Sequence, residues 1–261
     1  MRLPSVAGAV LLVVLGLDCA RTPRLPALAT VDALEHPVAE VFEEPAEAVS
    51  APEASEAIAP GTRYASLSGD ECEAELSARE IAHEALAPRR GISAPVRLRG
   101  RLSGVGFRTL WPRAERARTS YEIYDCRLVL ALDDFAKLLR ARGVVDVMLF
   151  SAYRPPPAGW SEPVGLRHEG GLAIDIGYFG KEDGTALNVE WDFNPRPRER
   201  ICAPGPPPRD ATPASLELRR IACEAASSKL FHLALTPAYD HVHRDHFHLE
   251  VTPGKSDFVA R

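Results

Sequence analysis

The chain has 261 residues, of which 46% are hydrophobic, with 31 Lys and Arg against 36 Asp and Glu and a formal net charge of −5. This length and apolar content suffice for one or two globular domains, and they exclude wholesale disorder, a collagen-like repeat and a polytopic membrane protein. The net negative charge indicates no nucleic-acid partner, because proteins that follow phosphates need a basic surface.

Residues 1–19 have the pattern of an export signal. The apolar run over residues 6–17 is too short to span a bilayer as a mature helix but is typical of a secretory signal. The motif ending at Cys19 resembles a bacterial lipobox and predicts lipidation of that cysteine, while residues 27–29 offer an ordinary signal-peptidase site instead. An uncleaved anchor is a third alternative. We therefore expect an exported protein of the periplasm or cell envelope, attached to a membrane only through a possible lipid.

Residues 20–62 differ in composition from the rest of the chain. They hold 11 Ala, 6 Pro, eight acidic and two basic residues, so the remaining chain is nearly neutral. Such a composition buries too little apolar surface to offset the chain entropy. It predicts a disordered tether or a terminus without a role, followed by a domain over residues 63–261.

Four cysteines fall in that domain. An even number in an exported chain favours two disulfides, and three pairings are possible. We favour Cys72–Cys126 and Cys202–Cys223, because each pair would tie a helix to its neighbouring segment.

Periodicity and turn residues predict the elements of the domain. Helices are expected over residues 71–86, capped by Asp70, and over 127–142 and 214–229. Short strands and turns are expected over 95–124, a proline-rich loop over 195–213, and longer strands over 144–150, 172–179, 187–191 and 246–251. Since helices and strands alternate without a βαβ rhythm, the fold class is α+β, with a small, mainly antiparallel sheet and flanking helices.

Five of the eight histidines lie in the last 30 residues. If residues 246–251 form a strand, alternation places His246, His248 and Glu250 on one face and three apolar residues on the other. The imidazoles would then share a surface, although a histidine-rich tail is also compatible with adventitious metal binding.

A second polar group surrounds His168 and Asp175. In the predicted strand 172–179, Asp175 shares its face with Gly and Ala, which would leave room for a ligand. If this strand pairs with 246–251, His168, Asp175 and His248 come together. Two imidazoles and a carboxylate are a typical ligand set of catalytic Zn²⁺, with a fourth position open to water. Taken separately, Asp175 could be a structural carboxylate and His168 a surface histidine.

Two motifs then carry a resemblance to a known family. In the order of the chain they are His168-x-x-Gly171-x-Ala173-x-Asp175 and His246-x-His248. They resemble the signature of the LAS metallopeptidases, which comprise D-alanyl-D-alanine metallopeptidases and murein endopeptidases. Residues 168–179, 183–184 and 243–250 look most like the bacterial extensin-like C-terminal domain family, and the resemblance covers roughly residues 70–252. The usual serine two residues before the first ligand is Leu166 here.

The resemblance implies a role for each site residue. His168, Asp175 and His248 would bind zinc. Arg154 would stabilise the oxyanion that develops on the substrate carbonyl. His246 is favoured over Asp245 as the general base. Apart from the resemblance, His243 could bind a substrate carboxylate or orient the base, and Tyr153 is a further candidate substrate-binding residue.

The predicted function is zinc-dependent hydrolysis of a peptide or amide bond in a peptidoglycan stem peptide or cross-link. A non-catalytic zinc-stabilised module that binds peptidoglycan or another envelope partner is the alternative. A non-haem iron oxygenase with the same ligand triad is less favoured, because the sequence indicates no site for an oxidisable substrate.

Overall fold

The structure is a computed structural model that describes residues 57–160, 165–196, 199–206 and 208–261. The predicted export signal, Cys19 and most of the predicted tether lie outside these residues. Within the described ranges, no helix combines the length and the apolar character that crossing a membrane requires.

Two helices begin the described chain, α1 (Pro60–Ser66) and α2 (Gly69–Ala78). The last residues assigned to the tether therefore belong to the domain, since α1 starts at Pro60 and buries Tyr64. Helix α2 is capped by Ser68 rather than by the predicted Asp70, in a reciprocal capping box with Glu71. It also ends well before the predicted residue 86, because Glu80 takes a left-handed conformation with φ of 56°.

Short elements fill the segment up to residue 125, as predicted for residues 95–124 but not for residues 83–85, which form a strand where a helix was expected. They are the strands β1 (His83–Ala85), β2 (Pro95–Leu98), β3 (Gly106–Thr109) and β4 (Tyr124–Asp125) and the one-turn helix α3 (Arg113–Arg116). Strands β1, β2 and β4 form a small antiparallel sheet in that order.

Helix α4 (Cys126–Ala141) confirms the helix predicted over 127–142. Its N-cap is Asp125, whose carboxylate accepts a hydrogen bond from the backbone N–H of Arg127 at 3.0 Å. The helix ends before Gly143, which has a φ of 71° that a side chain would disfavour. A disulfide between Cys72 and Cys126 joins α2 to the first residue of α4.

The main sheet has seven strands, β3 among them. The other strands are β5 (Val144–Ser151), β6 (Ala173–Lys181), β7 (Ala186–Asn188), β8 (Leu233–Leu235), β9 (Phe247–Glu250) and β10 (Val259–Ala260). Their order is β10-β8-β9-β6-β5-β3, and β7 pairs with β6. The pairs β3–β5 and β10–β8 are parallel and the others antiparallel. The predicted α+β class with a mainly antiparallel sheet is therefore confirmed.

The remaining helices are α5 (Val189–Asp192) and α6 (Pro213–Ser227). The strand predicted over 187–191 is wrong beyond Asn188, because the Asn188 side chain accepts hydrogen bonds from two backbone N–H groups and so starts α5. A second disulfide, Cys202–Cys223, ties the proline-rich connection to α6. Both disulfides have the pairing that the sequence favours.

The apolar core lies on one face of strands β6 and β9. Ile174, Ile176, Phe247 and Leu249 are fully buried and belong to the same apolar cluster as the buried residues of α4 and α6. Removing each such side chain from water contributes about 1.5–3 kcal/mol. This burial fixes which residues of the two strands face the other way.

Candidate metal centre

The pairing of β6 with β9 positions the site. In this antiparallel register Asp175 lies opposite His248, and the flanking pairs Ile174–Leu249 and Ile176–Phe247 face the core. Because neighbouring residues of a strand point to opposite faces, the carboxylate and the imidazole project together from the other face. The structure thus contains the strand pairing on which the sequence argument depended.

His168, Asp175 and His248 form a compact buried group. One potential ligand atom from each residue lies within 4.8 Å of the others, and the three residues are 6%, 1% and 7% exposed. His168 Nε2 is 3.1 Å and His248 Nδ1 is 3.0 Å from the Asp175 carboxylate. Two imidazoles and a carboxylate whose donor atoms converge in this way can hold a metal ion.

The loop before β6 orients His168. A one-turn 3-10 helix, Arg167–Gly170, carries the residue and ends at Gly171, whose φ is 64°. A β-carbon at Gly171 would lie 2.8 Å from the backbone nitrogen of Asp125, so glycine is required there. His168 Nδ1 donates to the Ala152 carbonyl at 2.6 Å, which leaves Nε2 facing Asp175. This backbone carbonyl orients the ring, whereas Leu166 at the serine position provides no side-chain cap.

Glu250 orients His248. Its Oε2 lies 3.4 Å from His248 Nε2, and its Oε1 accepts a hydrogen bond from the Thr252 hydroxyl at 2.9 Å. A carboxylate on the far nitrogen of a ligating histidine fixes the ring and increases its basicity. The sequence analysis placed Glu250 on this face but did not identify it as a site residue, although its spacing of two from His248 was the signal.

The charges of this group depend on one another. Burial alone would raise the pKa of Asp175, but hydrogen bonds from His168 and His248 hold it well below its usual range. Burial likewise opposes the charged form of His248, yet hydrogen bonds with Asp175 and Glu250 raise its pKa. Burial also opposes ionisation of Glu250, but hydrogen bonds from His248 and Thr252 lower its pKa. Two ionised carboxylates in a buried site require positive charge close by, which suits a bound cation.

Arg154 brings such a charge to the edge of the group. The residue follows β5, and its guanidinium pairs with Asp175 Oδ2 while Nε donates to the Ser151 hydroxyl at 2.8 Å. Ser151 is buried and lies 3.3 Å from Asp175 Oδ2, so it connects the two. The Arg154 side chain remains 49% exposed and can meet a ligand from solvent. The contribution of Ser151 was not predicted.

His246 and Asp245, the two candidate bases, form a hydrogen-bonded pair. His246 Nδ1 is 2.8 Å from Asp245 Oδ1, and His246 Nε2 is 3.4 Å from Asp175 Oδ1. The His246 imidazole therefore faces the centre, and the Asp245 carboxylate lies behind it.

His243 lies beside the same imidazoles. It ends a short 3-10 helix, His241–His243, and its Nδ1 is 2.7 Å from Asp240 Oδ1. Its ring centroid is 5.2 Å from that of His246 and 5.8 Å from that of His248. His243, His248, Arg167 and Tyr239 are among the residues that line a cavity of about 550 Å³.

Tyr153 lies elsewhere than the proposed substrate role requires. It is buried against Ile92 and Ile123, and its hydroxyl donates to the Arg90 carbonyl at 2.9 Å. With its polar atom used inside the protein, Tyr153 supports the fold behind Arg154.

The space beside the small residues of β6 is also used differently from the prediction. A β-carbon at Gly177 would lie 2.6 Å from the ring of Phe150, so this ring occupies the room expected for a ligand. The same ring packs against His246, with centroids 5.9 Å apart. Gly177 thus lets Phe150 support the His246 imidazole.

Comparison with known proteins agrees with this arrangement at the level of a family. The model of the extensin-like protein C-terminus matches residues 70–258, which include both disulfides and every residue of the centre. No curated protein and no solved structure matches the chain. Since the match covers well over half of its length, the chain belongs to the extensin-like protein C-terminal family.

Proposed function

We propose that this protein is a zinc-dependent hydrolase of the cell envelope that cleaves a peptide or amide bond in peptidoglycan, and that its family is related to the LAS metallopeptidases. The observation that carries the proposal is the convergence of His168, Asp175 and His248, with Arg154 and His246 both in contact with Asp175. A metal-binding group, a cation and a proton-transfer group therefore meet at one place.

The ligand set favours zinc. His168, Asp175 and His248 would hold the ion with three nitrogen and oxygen ligands, the number that catalytic zinc sites take from the protein. Zinc bound there would lower the pKa of a coordinated water and polarise the scissile carbonyl. Asp175 and Glu250 together provide the negative charge that a divalent ion requires.

Arg154 has the position of an electrostatic stabiliser. Ser151 and Asp175 hold its guanidinium, so little reorganisation is needed when negative charge develops on the substrate oxygen. Its half-exposed side chain can still contact a substrate.

His246 and Asp245 have different roles in proton transfer. His246 Nε2 faces the centre and is positioned to take a proton from the attacking water and deliver it to the leaving amine. Asp245 holds Nδ1 and acts as a positioning residue. The expected signature is a loss of kcat of about 10²–10⁴-fold in His246→Ala. Asp245→Asn is expected to lose less of kcat and to keep KM.

The compartment that the disulfides indicate and the cavity beside His248 both support peptidoglycan as the substrate. Two disulfides indicate an oxidising, exported location. The cavity beside His248 carries Arg167 and His243, which suit the carboxylates of peptidoglycan stem peptides. The resemblance to murein peptidases points to the same polymer.

The test is metal content together with muropeptide release by the purified protein. Wild type, His168→Ala and His246→Ala are compared with His241→Ala, a neighbouring exposed histidine outside the centre. We expect one zinc per chain in all but His168→Ala, and new muropeptides from wild type and His241→Ala alone. Release by His168→Ala at the wild-type rate would refute the proposal.

The second candidate is a zinc-stabilised binding module without activity. It is favoured by the burial of the three ligands and by their origin in separate segments, which a metal would cross-link. Zinc that raises Tm and is followed by peptidoglycan binding without any product would establish this alternative.

A further inference from the structure

A second polar cavity lies beside the three-stranded sheet. Its volume is about 270 Å³, and it shares no lining residue with the metal centre. Four arginines contribute to its wall, namely Arg97, Arg99, Arg113 and Arg116.

Arg97 is a buried cation in the wall of this cavity. It is 8% exposed, and its guanidinium donates to the backbone carbonyls of Arg116 at 2.9 Å and Thr119 at 2.8 Å. Within the described residues no carboxylate forms an ion pair with it. Burial lowers the pKa of Arg97, which reflects the cost of holding this charge away from water. Buried charges in proteins are ordinarily paired, so a counter-anion is expected.

The lining carboxylate of Glu122 does not fill this role. It accepts hydrogen bonds from Arg116 Nε at 2.7 Å and from the backbone N–H and hydroxyl of Thr109 at 2.7 and 2.8 Å. Arg99 pairs with Glu84, whereas the exposed Arg113 forms no ion pair in the part of the chain that the structure describes. Arg97 and Arg113 therefore have no ion-pair partner among the described residues, although the charge of Glu122 acts on Arg97 from a distance.

Tyr124 adds an unused donor. Its hydroxyl is buried and has no hydrogen-bond partner among the described residues, and the charges of Glu122, Arg116 and Arg97 all act on it. An unsatisfied buried hydroxyl costs about 1–3 kcal/mol. Burial raises the pKa of Tyr124, so the group stays protonated and able to donate.

We propose that this cavity binds a phosphate group, with Arg97 and Arg113 supplying charge and Tyr124 a hydroxyl donor. Phosphate presents more acceptor oxygens than a carboxylate and carries up to two charges, which matches a hydroxyl and two guanidinium groups that form no ion pair among the described residues. The volume admits a phosphate monoester or diester, either as a soluble molecule or as the headgroup of an anionic lipid.

The test is binding of inorganic phosphate to the full chain by calorimetry. Arg113→Gln should weaken binding roughly tenfold or more, and Tyr124→Phe about threefold to tenfold. Tyr124→Phe should raise the Tm of the ligand-free protein, since it removes a buried hydroxyl that has no hydrogen-bond partner among the described residues. Arg220→Gln removes an equal charge from the surface of α6 and should bind phosphate like wild type. Asp175→Asn, at the metal centre, should also bind normally.

Vesicles distinguish the two sources of the group. Binding to phosphatidylglycerol vesicles but not to phosphatidylcholine vesicles, abolished by phosphate, would identify a lipid headgroup. Binding of phosphate without vesicle binding would identify a soluble ligand. The proposal is overturned if wild type binds no phosphate, if Arg113→Gln binds it equally well, or if Arg220→Gln loses as much affinity as Arg113→Gln.

Discussion

The two faces of the β6–β9 pair differ completely in chemistry, although one hydrogen-bond register sets both. On one face Ile176 and Phe247 are buried among apolar residues. On the other, Asp175 and His248 are equally buried but are ionisable groups that depend on one another. Their burial is tolerated because each polar atom has a partner. Alternate residues of the two strands therefore have different roles: those on one face stabilise the fold, and those on the other form the site.

The largest expected effect comes from breaking the polar face alone. Asp175→Asn keeps the size of the side chain but removes the charge between His168 and His248. We expect metal affinity to fall by at least about a thousandfold, since a metal site of this kind shares its binding free energy among few ligands. Isothermal calorimetry with zinc measures this change, and the far-UV circular dichroism spectrum should remain that of a folded protein. Tight zinc binding by this variant would show that the metal lies elsewhere.

A substitution on the apolar face should lower stability and leave zinc affinity nearly unchanged. Phe247→Ala leaves a cavity in the core and is expected to lower the free energy of unfolding by about 3–5 kcal/mol. Urea denaturation measures this loss. Zinc affinity of the folded fraction should stay within a few-fold of wild type, because His248 and Asp175 remain. A joint loss of stability and zinc affinity in folded molecules would contradict the separation of the faces.

A smaller effect is expected from the residue that supports His248. Glu250→Gln preserves shape but removes the negative charge near Nε2. Zinc affinity should fall about 10–100-fold, the usual cost of losing such a supporting carboxylate. Competition with a chelator of known affinity measures it, and Glu182→Gln, at an exposed carboxylate, is the matched control. Equal affinity of both variants would remove Glu250 from the site.

The smallest effect concerns Glu75, a partly buried charge on helix α2 that belongs to neither face. Hydrogen bonds from Arg63 hold the pKa of Glu75 at about 2, below its ordinary 4.5, with Arg79 contributing. A depressed carboxyl pKa stabilises the fold above about pH 4.5, and this contribution disappears as the pH falls towards 2. Glu75→Gln should therefore cost about 0.5–1 kcal/mol at pH 7. Thermal unfolding from pH 7 to 2 should show the difference vanish, and a difference constant with pH would disprove the assignment.

Much of this fold is visible in the sequence. Period-two alternation predicted strands β6 and β9 and the faces of Asp175 and His248, because one face of each strand is apolar. Helical spacing of apolar residues likewise predicted α4, and the helix predicted over 214–229 corresponds to α6. These signals are local, so they survive without knowledge of the tertiary structure.

What the sequence did not predict depends on very short elements or on distant contacts. Strands β8 and β10 are too short to show alternation. The role of Tyr153 depends on the carbonyl of Arg90, which is 63 residues away in the chain. Phe150 occupies the space beside Gly177 only because β5 pairs with β6. For Tyr153 and Phe150 the partner lies outside any window in which periodicity is read.

The most direct test of the metal centre is X-ray absorption spectroscopy at the zinc edge of the metal-loaded protein. The account predicts two imidazole nitrogens and at least one oxygen at about 2.0–2.2 Å, without sulfur, and the loss of this spectrum in Asp175→Asn. A spectrum with sulfur ligands, or one that Asp175→Asn leaves unchanged, would contradict the assignment of His168, Asp175 and His248 as the metal centre.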